Sequence, residues 1–249
     1  MKRIFVLAAC SFSISSTFQW PPPGVTLCHR SQPDFTECLK ENIPKGAHII
    51  MKGLKEIGFP EVDPVKVPTP SIINANGGQM QLTMKMINCY LRGATTNSKI
   101  VDLKIDMDNG CSWSLDVDIP VLEWYGDYAI QGKLLMFQLN GHGKCNFTLL
   151  DTRIHQEMRC QKYQKNEKTY IKISNFTVDI NPRTMVYEVE NIIPGNPEIS
   201  EQVVKTLNSD PLLVWSEIKP AFNTIVGQMH KDVGNKLYSK IPFDEIYLP

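Results

Sequence analysis

Five histidines are the residues of this sequence best suited to acid–base or metal chemistry, and they lie far apart along the chain. The sequence contains no Gly-x-Ser-x-Gly elbow, no His-Glu-x-x-His zinc site, no P-loop and no Gly-x-Gly-x-x-Gly turn. No catalytic residue is therefore predicted. One enzyme class stays open as a hypothesis: a secreted esterase in which a Ser or Cys nucleophile meets His142 or His155 only in the folded chain.

A short acidic stretch at residues 106–110 (DMDNG) is similar to a calcium-binding loop. Its glycine stands at the fifth position instead of the sixth, and no glutamate follows at the twelfth. Asn-Gly is a strong signal for a tight β-hairpin. Cys28 and His29 are adjacent, but no second Cys/His pair stands at zinc spacing. We therefore predict a hairpin here, and neither a metal nor any other cofactor.

The N-terminus predicts export of the chain. Lys2 and Arg3 precede an apolar run at residues 4–14 and then small residues, the pattern of a secretory signal peptide. We expect residues 1–17 to be cleaved and residues 18–249 to form one secreted, extracellular domain. A bacterial lipoprotein box, with a lipid on Cys10, is the competing interpretation. The sequons at Asn146 and Asn175 predict glycosylation and weakly favour eukaryotic secretion.

Six cysteines remain after the predicted signal peptide, and an even number in a secreted chain favours disulfides over free thiols. Cys28 and Cys38 enclose a short loop, where a disulfide would staple the start of the following helix. The other four are Cys89, Cys111, Cys145 and Cys160.

Charge and hydropathy exclude two partner classes. Lys plus Arg and Asp plus Glu balance at 26 each, so no basic excess points to nucleic acid. No run of eighteen apolar residues follows the N-terminus, so stable membrane insertion is not expected. We expect a monomer whose partner is a hydrophobic small molecule.

Three helices are predicted, at residues 38–57, 197–207 and 211–240. The last carries an apolar stripe at steps of three and four residues, which includes Trp215, Phe222 and Met229. Pro211 suits its first turn, and Pro220 should kink its axis.

Between the first two helices, residues 78–191 alternate apolar and polar side chains with a period of two. About seven antiparallel strands are predicted, with bulges near Leu150 and within residues 169–180 where the alternation slips. No helix crosses between strands, so the class is α+β. Strands as long as the last helix predict a strongly curved antiparallel sheet wrapped around that helix, forming an apolar tunnel.

The inward positions are rich in methionine, which adapts to varied apolar partners. Burying a lipid chain contributes about 0.8 kcal/mol per CH₂, so such a tunnel could hold a ligand without charged contacts. Hydroxyls of Tyr128 or Tyr187 could orient a polar ligand head. The predicted ligand-binding residues are Met84, Met86, Trp113, Leu115, Val117, Tyr128, Phe137, Phe176, Tyr187, Trp215, Phe222, Ile225 and Met229.

Four features together resemble the insect takeout and juvenile hormone binding protein family. They are Cys28 with Cys38 before a helix, residues 52–65 (KGLKEIGFPEVDPV), residues 125–135 (YGDYAIQGKLL) followed by Gly-His-Gly, and the tail at residues 235–245 (NKLYSKIPFDE). The resemblance covers about residues 25–249. It implies a long C-terminal helix wrapped by a curved antiparallel sheet, and an N-terminal disulfide between Cys28 and Cys38.

The resemblance also implies a secreted, non-enzymatic carrier of juvenile hormone, another terpenoid or a fatty-acid-like ligand. Four cysteines exceed the bond common in takeout-like members, and laying out the strands suggests the pairs Cys111–Cys145 and Cys89–Cys160. The alternative function is a secreted chemosensory or signalling protein that acts through a protein partner and has no true cavity.

Overall fold

The computed structural model describes residues 19–77 and 80–249. The predicted signal peptide and the competing lipid site at Cys10 lie outside these residues. The elements are α1 (Phe35–Ile50), a 3₁₀ turn (Lys55–Ile57), β1 (Val65–Lys66), β2 (Ser71–Ala75), β3 (Met80–Arg92), β4 (Lys99–Asp106), β5 (Ser112–Leu134), β6 (Phe137–Leu139), β7 (His142–Lys165), β8 (Lys168–Val189), α2 (Pro197–Ser209), α3 (Pro211–Tyr238) and α4 (Phe243–Ile246).

The strands form one antiparallel sheet of eight, with β1, β3, β5, β7 and β8 as successive neighbours. Strand β2 also pairs with β3, while β4 and β6 pair with β5. The three long strands have 23, 24 and 22 residues. A straight strand of that length would reach about 75 Å, whereas the 28-residue α3 is only about 42 Å long. The sheet therefore curves around α3, and the predicted α+β class is confirmed.

In each of the three long strands, the alternation of buried and exposed residues changes parity once, and the three changes lie at positions that pair with one another. The last buried residue before the change and the first after it are Ile119 and Leu122 in β5, Leu149 and Thr152 in β7, and Pro182 and Met185 in β8. Because all three strands change at the same level, the pairing register is kept. The change of parity predicted near Leu150 is present, at Asp151 with φ +47°, but the strand pairing shows no register shift there, so the bulge predicted at this point is wrong. The second predicted slip is confirmed by a register shift opposite Arg159 and Cys160.

Helix α3 begins where the side chain of Asp210 accepts a hydrogen bond from the Leu213 N–H at 3.2 Å, with Pro211 in the first turn. It runs to Tyr238 and stays helical through Pro220. The predicted stripe is buried at Trp215 and Phe222, and Val226 joins it. Among the described residues, no helix is long and apolar enough to cross a membrane.

Three helix asparagines bond the free edge of β8, which is the last strand of the sheet path. Asn235 accepts from the Ile173 N–H at 2.7 Å and donates to the Ile173 carbonyl at 3.2 Å. Asn208 makes the same two bonds with Tyr187, both at 2.8 Å, and Asn223 accepts from the Ile180 N–H at 3.2 Å. These side chains take the place of a ninth strand, because they satisfy backbone groups that an edge strand leaves open.

Helix α1 ends earlier than the sequence suggests, at Ile50 instead of residue 57. Gly53 has φ +93°, in the left-handed region where a helix cannot continue, and its N–H donates to the Ile50 carbonyl at 3.0 Å to close the turn. Pro44 lies inside α1 without ending it. The helix packs on β4, across the interior from α3.

Two disulfides are present among the described residues. Cys28 and Cys38 are bonded with their Cα atoms 6.0 Å apart, as the family resemblance implies. Cys111 is bonded to Cys160 at 5.2 Å, so the suggested pairs Cys111–Cys145 and Cys89–Cys160 are wrong. The reason is strand register: Ser112 pairs with Arg159 at the start of β5, whereas Cys145 pairs with Gly126, well along the same strand.

Candidate functional site

A cavity of about 370 Å³ lies between α1, the sheet and the C-terminal half of α3. Helix α1 contributes Leu39, Ile43 and Ala47, and α3 contributes Val226 and Met229. Strands β4, β5, β7 and β8 supply the opposite walls, and the tail adds Ile246 and Tyr247. The volume falls within the range of about 300–1,000 Å³ that small-molecule sites occupy.

The lining is strongly apolar. Among the described residues, none of the lining side chains is Asp, Glu, Lys or Arg. A charged ligand group buried here would have no counter-charge, and desolvating it would cost several kcal/mol. The cavity therefore favours an uncharged apolar molecule.

Five of the residues predicted to bind a ligand line this cavity. Trp113, Leu115 and Val117 project from β5, Phe176 from β8 and Met229 from α3. The edge of the Trp113 ring meets Phe176, with ring centroids 5.4 Å apart. These residues form the wall between the sheet and the second half of α3.

The other eight do not line it. Phe222 packs against Trp124, Phe147 and Trp215 around the first half of α3, with the Trp124 and Phe222 centroids 4.6 Å apart. This half of the interior is filled by aromatic rings. Placed outside the cavity are Met84, Met86, Tyr128, Phe137, Tyr187, Trp215, Phe222 and Ile225.

The two tyrosines are engaged by the protein itself. The Tyr128 hydroxyl donates to the Glu190 carbonyl at 2.6 Å, and the Tyr187 hydroxyl donates to the Pro211 carbonyl at 2.9 Å. Burial raises the pKa of both phenols well above their usual value. Both hydroxyls therefore bond the backbone, and neither tyrosine lines the cavity.

His230 was not among the residues predicted to bind a ligand. It is the only histidine among the described residues that line the cavity. Its Nδ1 donates to the Val226 carbonyl at 2.9 Å, and its ring stacks on Phe176 with centroids 5.1 Å apart. Burial lowers the pKa of His230, so the ring is neutral near pH 7. With Nδ1 carrying the proton, Nε2 is a lone-pair acceptor, and it has no hydrogen-bond partner among the described residues.

Gln156 is a second polar group on the wall. It occupies an inward position of β7 between the buried residues Ile154 and Met158, and it pairs with Val178 of β8. Within the described part of the chain its carboxamide has no hydrogen-bond partner. The sequence could have indicated this residue, because a glutamine stands at an inward position where the alternation of β7 predicts an apolar side chain.

The histidines considered as catalytic bases lie elsewhere. His142 is exposed at the start of β7. His155 lies on the outer face of the sheet, where its Nδ1 is 2.7 Å from Asp116, a contact that raises the pKa of the imidazole. Neither lines the cavity. No group of three or more His, Cys, Asp or Glu residues within the described ranges is arranged to hold a metal ion.

The sequons differ in exposure. Asn175 is exposed beside the register shift of β8. Asn146 is half-buried, and its Nδ2 donates to Glu188 at 2.8 Å.

Comparison with known proteins agrees with this architecture. A family model described as haemolymph juvenile hormone binding protein matches residues 4–248. The circadian clock-controlled protein daywake of Drosophila yakuba is 19% identical over 216 residues, which cover 84% of this chain and 83% of that protein. A putative beta-carotene-binding protein of Schistocerca gregaria is 19% identical over 226 residues, covering 90% and 88%.

The crystal structure of Takeout 1 from Epiphyas postvittana has the same fold. Its TM-score is 0.74 at 19% identity, and the match covers 90% of this chain and 99% of that one. The family match spans nearly the whole chain, and the fold agrees with it. The chain therefore belongs to the haemolymph juvenile hormone binding protein family.

Proposed function

We propose that this protein is a secreted, extracellular carrier that holds one hydrophobic small molecule in the cavity between α1 and the C-terminal half of α3. The observation that carries the proposal is a cavity of about 370 Å³ whose described walls hold no carboxylate, ammonium or guanidinium group. Each buried methylene of a ligand would contribute about 0.8 kcal/mol. Micromolar binding corresponds to about 8.2 kcal/mol, so about ten buried methylenes would reach it before the entropic cost of association is counted.

The ligand class follows from the walls and from the relatives. The matched family is described by its binding of juvenile hormone, and the Schistocerca relative by its binding of beta-carotene. Both names denote terpenoids. Aromatic walls at Trp113 and Phe176 suit flat unsaturated chains, and Met229 adapts to their shape. A terpenoid or fatty-acid-like molecule, juvenile hormone included, is the ligand we infer.

Two polar groups of the wall, on His230 and Gln156, would receive the one polar group of the ligand. His230 offers an acceptor at Nε2, and the carboxamide of Gln156 offers both a donor and an acceptor. A ligand hydroxyl can donate to His230, whereas a carboxylate would meet a lone pair. The site therefore favours a neutral alcohol over a fatty-acid anion.

We infer binding without catalysis, because the matched family is named for binding and the two candidate bases stand away from the cavity. We also propose a monomer with a cleaved signal peptide and with glycosylation at Asn175, which is exposed. Asn146 is a poorer acceptor, since its amide is half-buried and bonded to Glu188.

The alternative, a signalling protein that acts through a protein partner, supposed an interior without a true cavity. The cavity beside α1 is evidence against that alternative.

Extraction of the purified protein with organic solvent, followed by mass spectrometry, tests the proposal. We expect close to one apolar molecule per chain, and saturable displacement of a fluorescent apolar probe by that molecule. Protein that yields no apolar compound and binds no such probe would overturn the proposal.

A further inference from the structure

Two cysteines remain as free thiols among the described residues, Cys89 in β3 and Cys145 in β7. Both are buried, with 1% and 4% of their surfaces exposed. Strand β5 lies between their strands. In a regular sheet, next-nearest strands are about 9.6 Å apart, which exceeds the Cα separation of about 7 Å that a disulfide can span.

A bulge removes this obstacle. The pairing of β3 with β5 skips from Ile87 opposite Asp127 to Tyr90 opposite Tyr125, so Asn88 and Cys89 together face Gly126. A Cβ added to Gly126 would lie 2.6 Å from the Cα and 2.7 Å from the Sγ of Cys89. Cys89 is thus folded over Gly126, and only a glycine leaves room for it there.

The same glycine is the direct partner of the second cysteine. Gly126 pairs with Cys145 across β5 and β7, so Cys89, Gly126 and Cys145 form one row. The Cys89 thiol donates to the Asp127 carbonyl at 3.3 Å. The proximity of the two thiols lowers the pKa of Cys89, and the same proximity together with burial raises the pKa of Cys145.

We propose that Cys89 and Cys145 form a third disulfide, which crosses β5 over Gly126. The chain already carries two disulfides, so it folds where protein dithiols are oxidised. The row lies in the half of the interior that is filled by aromatic rings, two residues along β5 from Trp124, which packs on Phe222. The bond would join β3 to β7 across β5, so it would restrict relative movement of these three strands. It would therefore make this half of the molecule more rigid than the half that holds the cavity.

The oxidant is a disulfide of the glutathione or protein-oxidase class. The Cys89 thiolate attacks one of its sulfurs, a mixed disulfide forms, and one thiolate leaves. The Cys145 thiolate then attacks the sulfur of Cys89 and expels the second thiolate. The two cysteines lose two protons and two electrons, and the oxidant becomes two thiols. Since both sulfurs are buried in the finished sheet, the bond must form while the sheet assembles.

Counting thiols in the full chain expressed by insect cells tests this proposal. The protein is unfolded in guanidinium with an alkylating reagent and no reductant, digested, and mapped by mass spectrometry. We expect no alkyl group on the wild type and a peptide pair joined through Cys89 and Cys145. The Cys89→Ser variant should take one alkyl group, at Cys145.

A variant at Gly126 tests, independently of the cysteine variant, whether the close approach of Cys89 to this glycine allows the bond to form. Gly126→Ala places a methyl group against Cys89, so most molecules should keep both thiols free. Gly46→Ala is the matched control, because its new Cβ would be an ordinary 3.5 Å from Val25. The proposal is overturned if most wild-type molecules carry two alkyl groups at Cys89 and Cys145, or if either residue is joined to a different cysteine.

Discussion

The rings of Trp124 and Phe222 pack edge to face with their centroids 4.6 Å apart, and this contact lies where the filled half of the interior meets the open half. Phe222 is only 2% exposed and also contacts Trp215. Four residues further along α3, Val226 already lines the cavity. If the ligand occupies the cavity as we propose, Phe222 would limit its length at this end.

Removing that ring should lengthen the space. Phe222→Ala is expected to lower the free energy of unfolding by about 3–5 kcal/mol and to shift the preferred chain length of bound alcohols upward by several methylenes. Displacement titrations with a homologous alcohol series measure the shift. Val203→Ala, which truncates a fully buried side chain of α2, is the control that should destabilise without changing the preferred length. A folded Phe222→Ala protein with unchanged preference would show that the ring does not set the limit.

The polar pair should discriminate between ligands. Gln156→Leu and His230→Phe are each expected to weaken binding of a long-chain alcohol about tenfold, which equals about 1.4 kcal/mol and is typical of one lost hydrogen bond. Affinity for the hydrocarbon of equal length should stay within about twofold, since its burial is unchanged. Isothermal titration of both ligands against each variant gives the comparison. An equal loss for alcohol and hydrocarbon would mean that the two side chains only shape the wall.

His230 should also make stability depend on pH. Burial lowers its pKa, while the unfolded chain binds a proton near pH 6.5. The contribution of His230 is thus fully present above about pH 6.5 and falls as the pH drops towards the folded pKa, by at most about 1.4 kcal/mol per pH unit.

Denaturant unfolding of the wild type and of His230→Gln at pH 7.5, 6.5 and 5.5 measures this contribution as a difference. The difference also cancels His155, whose raised pKa acts in the opposite direction. Parallel stability profiles for the two proteins would contradict a buried neutral imidazole.

The hydrogen bonds from Asn235 to the edge of β8 should contribute measurably to the free energy of unfolding. Asn235→Leu leaves the N–H and carbonyl of Ile173 unpaired, so it should cost about 1–3 kcal/mol and speed hydrogen exchange of the Ile173 amide. Gln228→Leu removes an exposed amide bonded to Asp232 on the same helix, and it should change stability by less than about 0.5 kcal/mol. Equal effects of the two variants would argue against the edge role of Asn235.

The sequence predicted the α+β class because period-two alternation and the stripe of α3 are direct consequences of one-sided burial. It did not show that residues 112–134 form a single strand, because the inward parity changes between Ile119 and Leu122 and the pattern looks broken there. The pairing of Cys111 with Cys160 depends on where β5 begins and on its register with β7, which periodicity does not fix.

For the site, parity identified inward side chains but not their position along the roll. Trp113 and Tyr128 both face inward from β5, yet they lie in different halves of the interior. Which half stays open depends on where bulky rings from β5, β7 and α3 meet, a tertiary property. His230 was missed because a helix stripe is recognised by its apolar members, whereas Gln156 interrupts an inward series and could have been noticed.

The central claim is that the ligand occupies the open half beside α1. A crystal structure of the protein saturated with a long-chain terpenoid alcohol tests it most directly. We predict density in contact with Trp113 and Met229, with the hydroxyl at hydrogen-bond distance from Nε2 of His230. Density among Trp215, Tyr128 and Phe222, density on the outer face alone, or an empty cavity at saturation would contradict the claim.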